Sequence, residues 1–356
     1  MADAHEQIKF FSGQARSFDK ILRMAESSNS RQMGFRSAAV VWVIVVALAT
    51  LAGVWMGYGG RRFVIAICVA AALFGFALLA ASPRVMTRAT QALGGRAAVL
   101  APLVPMFAVL AYALGVTGDW KLGMLGAGYA VLPSLLLAGS RGKQPGAWED
   151  YAAALLIWLP VEFQWMYRVF VYPSPHGAAH WPLTHTLTIL LAVCTALAAF
   201  VFVRRMDGIG YAIEWKREFG PRTLIYFLVF AAIAIPLAIE IHFISFAPTV
   251  ARWRYFVPEA AGILMFTAWP EEFFFRGILQ NILSRSFKSD WAGLCAASVI
   301  FGFSHILHAP YPNWKYVALA TIAGLFYGRV WMKSRSLVPS AIVHAAVDTL
   351  WHFLFR

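Results

Sequence analysis

The sequence predicts an all-α, polytopic membrane protein with about 8–11 transmembrane helices, and three observations predict it. Apolar residues make up 60% of the 356 residues. Charged residues make up only 13%, about half the share of a soluble domain. Long apolar runs recur along the chain, and each crossing of a bilayer takes about 20 such residues. The surface of a soluble chain this long would lack the polar residues to cover it. A mean hydropathy of +0.65 excludes disorder, a disulfide-rich scaffold and a fibrous repeat by the same reasoning.

Residues 1–36 are the polar part, with no secretory leader expected because the first long apolar run starts only near Ser37. On a helical wheel Phe11, Ala15, Phe18, Leu22 and Ala25 share one face, opposite Lys9, Arg16, Lys20 and Arg23. This pattern suits an amphipathic cytoplasmic tail lying on an anionic membrane surface or packed on the rest of the protein.

Apolar runs follow at about 37–57, 63–82, 97–117, 122–140, 151–171, 183–203, 223–246, 258–283, 291–308, 315–332 and 336–355. The fifth carries Glu162 and Arg168 and the seventh Glu240 and His242, which makes these two less regular spans. Counted loop by loop, 20 Lys and Arg residues fall on the side of the N-terminus and 7 on the other. That bias predicts a multi-pass protein with a cytoplasmic N-terminus. It also accounts for the net charge of +13 without nucleic acid, for which no basic, aromatic-laced groove is present. Cys68, Cys194 and Cys295 lie far apart in apolar runs and read as packed residues.

The basic loop 204–222 is the clearest internal boundary. The sequence therefore divides into the tail 1–36, a set of membrane helices 37–222 with no motif, and a unit 223–356 whose spans carry ionisable groups. Such groups are costly in hydrocarbon, at about 2.5–3.5 kcal/mol each near a span's centre, and usually face a cavity or a partner.

Three segments concentrate them. In Trp269-Pro270-Glu271-Glu272-Phe273-Phe274-Phe275-Arg276, Glu272 and Arg276 stand about 40° apart on one helical face. Glu271 points about 140° away from Arg276. Glu272 can thus be neutralised, whereas Glu271 is left in an apolar setting that suits a general base near neutrality. The alternative is that both share Arg276 in a buried network. In Phe301-Gly302-Phe303-Ser304-His305-Ile306-Leu307-His308, Phe301 and His305 share a face, with His308 a turn further on. His344-Ala345-Ala346-Val347-Asp348 is a second i, i+4 pair, in which an Asp can orient a His ring. No Gly-x-Ser-x-Gly or His-Glu-x-x-His sequence accompanies them. A Glu that activates water, with His side chains at the oxyanion, is the simplest hydrolytic arrangement these residues offer.

Glu-Glu-x-x-x-Arg, Phe-x-x-x-His and His-x-x-x-Asn/Asp, in this order on late membrane helices, resembles the CPBP family. That family groups CaaX prenyl endopeptidases, bacteriocin-processing and self-immunity (Abi-like) proteins and related intramembrane proteases. The resemblance covers roughly residues 223–356. It implies a helical membrane core with a polar cavity, Glu271 as the water-activating residue, His305 and His344 as the motif histidines, and Glu272, Arg276 and Phe301 in support. Many members carry Asn where this chain has Asp348, and an ionised Asp cannot donate to an oxyanion. The resemblance therefore leaves Asp348 to be protonated, to orient His344 or to hold a metal. No cofactor is required, but zinc on His305, His344 and Glu271 is the other reading, because the family is often labelled metalloprotease. The implied activity is endopeptidase cleavage of a membrane-anchored protein or peptide, prenylated CaaX proteins being one precedent. A transporter whose pathway is lined by Glu162, Arg168, Glu240, His242 and the later ionisable cluster, or a catalytically silent membrane scaffold or immunity factor, are the alternatives.

Overall fold

A computed structural model of the chain describes residues 31–172, 182–248 and 250–356. The amphipathic face expected between Lys9 and Ala25 lies outside the described residues. From Phe35 onward the chain is a packed set of helices, as its apolar runs require: a bilayer span satisfies its own backbone only as a helix or a closed barrel. In order these are α1 (Phe35–Trp55), α2 (Gly60–Ala80), α3 (Pro83–Leu100), α4 (Leu103–Thr117), α5 (Trp120–Ala138), α6 (Trp148–Glu162), α7 (Leu183–Val203) and α8 (Phe219–Glu240). The second half continues with α9 (residues 256–286), α10 (Asp290–Phe303), α11 (Trp314–Ser334) and α12 (Leu337–Leu354). A two-stranded antiparallel ribbon pairs β1 (Arg31–Gln32) with β2 (Glu214–Trp215).

Among the described residues six helices are long and apolar enough to cross a membrane: α1, α2, α5, α7, α8 and α12. A seventh span arises if α3 and α4, bent by 52° at Ala101-Pro102, are taken together. The bend falls where proline disturbs the helical ladder. Further apolar runs fold as helices but fail one of the two conditions. The run at 151–171 stops at Glu162, where Gln164 takes a left-handed φ of 57° and a short 3-10 turn follows. α11 carries Lys315, Arg329 and Lys333, and α10 is only 14 residues long.

Polar caps set where the site-bearing helices begin. Ser289 accepts from Ala292 N–H at the start of α10, Asn313 from Tyr316 N–H at the start of α11, and Ser336 from Val338 N–H at the start of α12. Each cap satisfies an amide that the first turn leaves open. α10 and α11 approach closely because Gly302 lies where a Cβ would come within 1.9 Å of Thr321 Oγ1, the small-residue packing typical of membrane helices.

One hydrophobic core runs through both halves, from Phe63 and Tyr112 to Phe275, Phe301 and Trp331. The loop between α7 and α8 is threaded into it. Trp331 Nε1 donates to the Ile209 carbonyl at 3.2 Å and Asn281 Nδ2 to the Asp207 carbonyl at 2.8 Å. Trp158 of α6 stacks on Phe274 of α9 with ring centroids 4.7 Å apart, so the N-terminal helices reach the segment that carries the paired glutamates.

Candidate active site

α9 is not a uniform helix. It alternates α-helical turns with two π-helical stretches, Leu264–Ala268 and Phe273–Gln280, which flank Trp269–Glu272. Such widened turns are uncommon and frequent at functional sites. The two adjacent carboxylates on the turn between them lie in different surroundings. The Glu272 side chain is 0% exposed, whereas that of Glu271 is 25% exposed.

Glu272 is fully engaged. Its Oε2 lies 3.1 Å from Arg276 Nε and also accepts from the Ser340 hydroxyl, and its Oε1 accepts from His344 Nδ1 at 2.9 Å. Arg276 is equally buried, with its guanidinium carbon 4.7 Å from the centre of the Phe301 ring. Its two terminal nitrogens have no hydrogen-bond partner among the described residues, so the ring faces of Phe301 and, at 5.8–5.9 Å, of Tyr327 and Phe275 add to the compensation that Glu272 gives the guanidinium. Glu271 stands apart from Arg276, and its nearest charged contact is His344 Nε2 at 3.8 Å.

His344 is the hinge of the cluster. With Nδ1 on Glu272, its Nε2 faces Asp348 at 3.4 Å and Glu271 at 3.8 Å. Its ring stacks on Tyr327, centroids 4.5 Å apart and 16° from parallel. Both ring nitrogens and one ring face are thereby held, which defines the orientation of the imidazole. His305 lies just beyond the end of α10 and places Nδ1 2.9 Å from the Phe301 carbonyl. A carbonyl only accepts, so Nδ1 carries the proton and Nε2 presents a lone pair. The Phe301 ring packs edge-on against His305 and His344, with centroids at 4.9 and 5.8 Å. Phe301 is therefore the common wall between the two histidines and Arg276.

The structure thus brings Glu271, Glu272, Arg276, Phe301, His344 and Asp348 into one contact network. His305 joins it through Phe301 and through two cavities that it lines. The larger, about 310 Å³, opens in front of Glu271 and is also bounded by His308, Glu162, Tyr167 and His185. The smaller, about 100 Å³, is largely apolar and reaches Tyr316, His344 and Asp348 between α8, α11 and α12. The sequence reading attaches no role to Ser340, Tyr327, Tyr316, Tyr167 or His185. Ser340 could have been found, because Ser340, His344 and Asp348 repeat at four-residue spacing on one face. The others come from helices with no motif.

Among the described residues no group of three or more His, Cys, Asp or Glu side chains could hold a metal ion. His305, His344 and Glu271 therefore do not form a zinc ligand set in this arrangement, and no step is assigned to a metal.

No curated protein and no solved structure matches the chain. Residues 252–350, which contain all three motifs, match the family model Type II CAAX prenyl endopeptidase Rce1-like, in agreement with the family that the motifs resemble.

Proposed function

We propose that this integral, multi-pass membrane protein is an endopeptidase that hydrolyses a peptide bond of a membrane-associated protein or peptide with water activated by Glu271. The observation that carries this reading is the division of labour between the adjacent carboxylates. Glu272 is committed to Arg276, Ser340 and His344, whereas Glu271 opens on the 310 Å³ cavity. A base must reach the proton it removes, and only Glu271 of the pair can meet a water.

Glu271 takes a proton from the water while the His305 Nε2 lone pair, on the same cavity, accepts the other water hydrogen and aims the oxygen. The oxygen attacks the scissile carbonyl carbon, and the carbonyl π pair moves onto its oxygen. His344, held by Glu272, Asp348 and Tyr327, stabilises that charge through Nε2 when protonated. Collapse of the intermediate breaks the C–N bond, and Glu271 returns its proton to the departing amine. Asp348 acts on His344 rather than on the substrate.

The family name carries a prenylated CaaX-type substrate, and the apolar cavity beside Asp348, walled by Phe227, Phe230 and Ala234, supports an apolar moiety next to the scissile bond. The unit 223–356 supplies the reacting groups, and helices between residues 37 and 222 wall the chamber. The Lys and Arg bias toward a cytoplasmic N-terminus counts the run at 151–171 as a crossing, and because α6 ends within that run at Glu162 the side of the N-terminus is a matter for a topology assay. Purified protein in liposomes, offered matched peptides with and without a farnesyl group, tests both levels of the reading. Cleavage favouring the farnesylated peptide is expected, and Glu271→Gln is expected to abolish it while the protein stays folded. Normal cleavage by that variant refutes the mechanism, and equal cleavage of both peptides refutes the prenyl assignment alone.

A further inference from the structure

The site is rich in acceptors at the point where a donor is needed. His305 spends its proton on the Phe301 carbonyl, and an ionised Asp348 has no hydrogen to give. His344 donates from Nδ1 to Glu272, and any proton on its Nε2 is shared with Asp348 and Glu271. A carbonyl oxygen that becomes negative here needs a further donor that is not already drawn toward a carboxylate.

Tyr316 provides one. It lies in the first turn of α11, where its backbone N–H bonds the Asn313 cap at 3.0 Å. Its ring meets His305 edge-on at 4.5 Å between centroids and packs on Trp351 at 5.3 Å. It lines the smaller cavity together with His305, His344 and Asp348, and His305 also lines the larger cavity in front of Glu271. The hydroxyl has no hydrogen-bond partner among the described residues, although the ring is packed on several sides. A neutral O–H on a ring fixed beside the reacting groups is the kind of preorganised donor that stabilises a developing oxyanion.

We propose that Tyr316 is a catalytic residue whose O–H donates a hydrogen bond to the scissile carbonyl oxygen as it becomes the oxyanion, in the place where an ionised Asp348 cannot. No proton is transferred in this contact. The hydrogen bond tightens as the π pair moves onto the oxygen and relaxes when the C–N bond breaks. The assignment rests on the peptidase reading above.

Wild type, Glu271→Gln and Tyr316→Phe, each as the full chain in liposomes, are to be compared on one cleavable peptide and on a hydrated-ketone analogue of it. Phenylalanine keeps the ring against His305 and Trp351 and removes only an oxygen without a partner, so the variant is expected to melt with the wild type. The expected result is a kcat lower by about 10²–10³-fold, the cost of one oxyanion donor, with KM nearly unchanged. The hydrated ketone should bind Tyr316→Phe at least about tenfold more weakly, since it mimics the tetrahedral state. Wild-type kcat in Tyr316→Phe, or a rise in KM alone, overturns the oxyanion assignment while loss of activity in Glu271→Gln preserves the peptidase reading. Wild-type cleavage by Glu271→Gln overturns both.

Discussion

Arg276→Met should destabilise the protein, and the amount follows from burial. Arg276 and Glu272 are both 0% exposed and 3.1 Å apart. Removing one partner of a buried pair leaves the other charge uncompensated, at about 3–5 kcal/mol. The lower end of that range applies, because Ser340 and His344 continue to hydrogen-bond Glu272. The change also removes the guanidinium from the face of Phe301, which lowers stability in the same direction. The double variant Glu272→Gln/Arg276→Met has no stranded charge and should recover at least about 1–2 kcal/mol relative to the single one, as buried pairs replaced by neutral groups often do. Equilibrium unfolding in mixed micelles, with tryptophan fluorescence as the signal, measures each. A single variant within about 1 kcal/mol of wild type, or a double variant no more stable than the single, would refute the claim that this pair is electrostatically coupled and dry.

Two further outcomes follow from the packing and the donor set. Gly302→Ala drives a methyl to 1.9 Å from Thr321 Oγ1 and 2.6 Å from the Val317 carbonyl, and should cost about 1–3 kcal/mol through overpacking. Gly262→Ala, where a Cβ meets nothing within 4 Å, should leave the melting temperature unchanged or raise it; the reverse order of the two would contradict the α10–α11 contact. Exhaustive dialysis against a chelator should leave peptide cleavage intact, because no three-ligand group forms among the described residues. Stoichiometric zinc in the purified protein, with activity lost on chelation and restored by zinc, would instead assign His305, His344 and Glu271 to a metal.

The linear sequence determines the helical membrane character of this protein, because a bilayer imposes a length and an apolarity that can be counted in one dimension. It also determines the pairs that a helix makes with itself. Glu272 meets Arg276 and His344 meets Asp348 because residues four apart share a face wherever a helix forms. The number of helices meeting the span criteria was less legible. Helices of the motif-bearing half trade apolarity for function, and proline or a left-handed residue cuts others short.

Only the tertiary structure decided what crosses between helices. That His344 bridges Glu272 and Asp348, that Phe301 separates Arg276 from both histidines, and that Glu162 and His185 wall the chamber in front of Glu271 are all consequences of how the helices pack. So is the placing of Tyr316 beside His305. These contacts depend on crossing positions set by small residues such as Gly302 and on the π-helical turns of α9. A local repeat carries no record of either, because side chains on different helices meet through the packing of many residues rather than through a spacing along the chain.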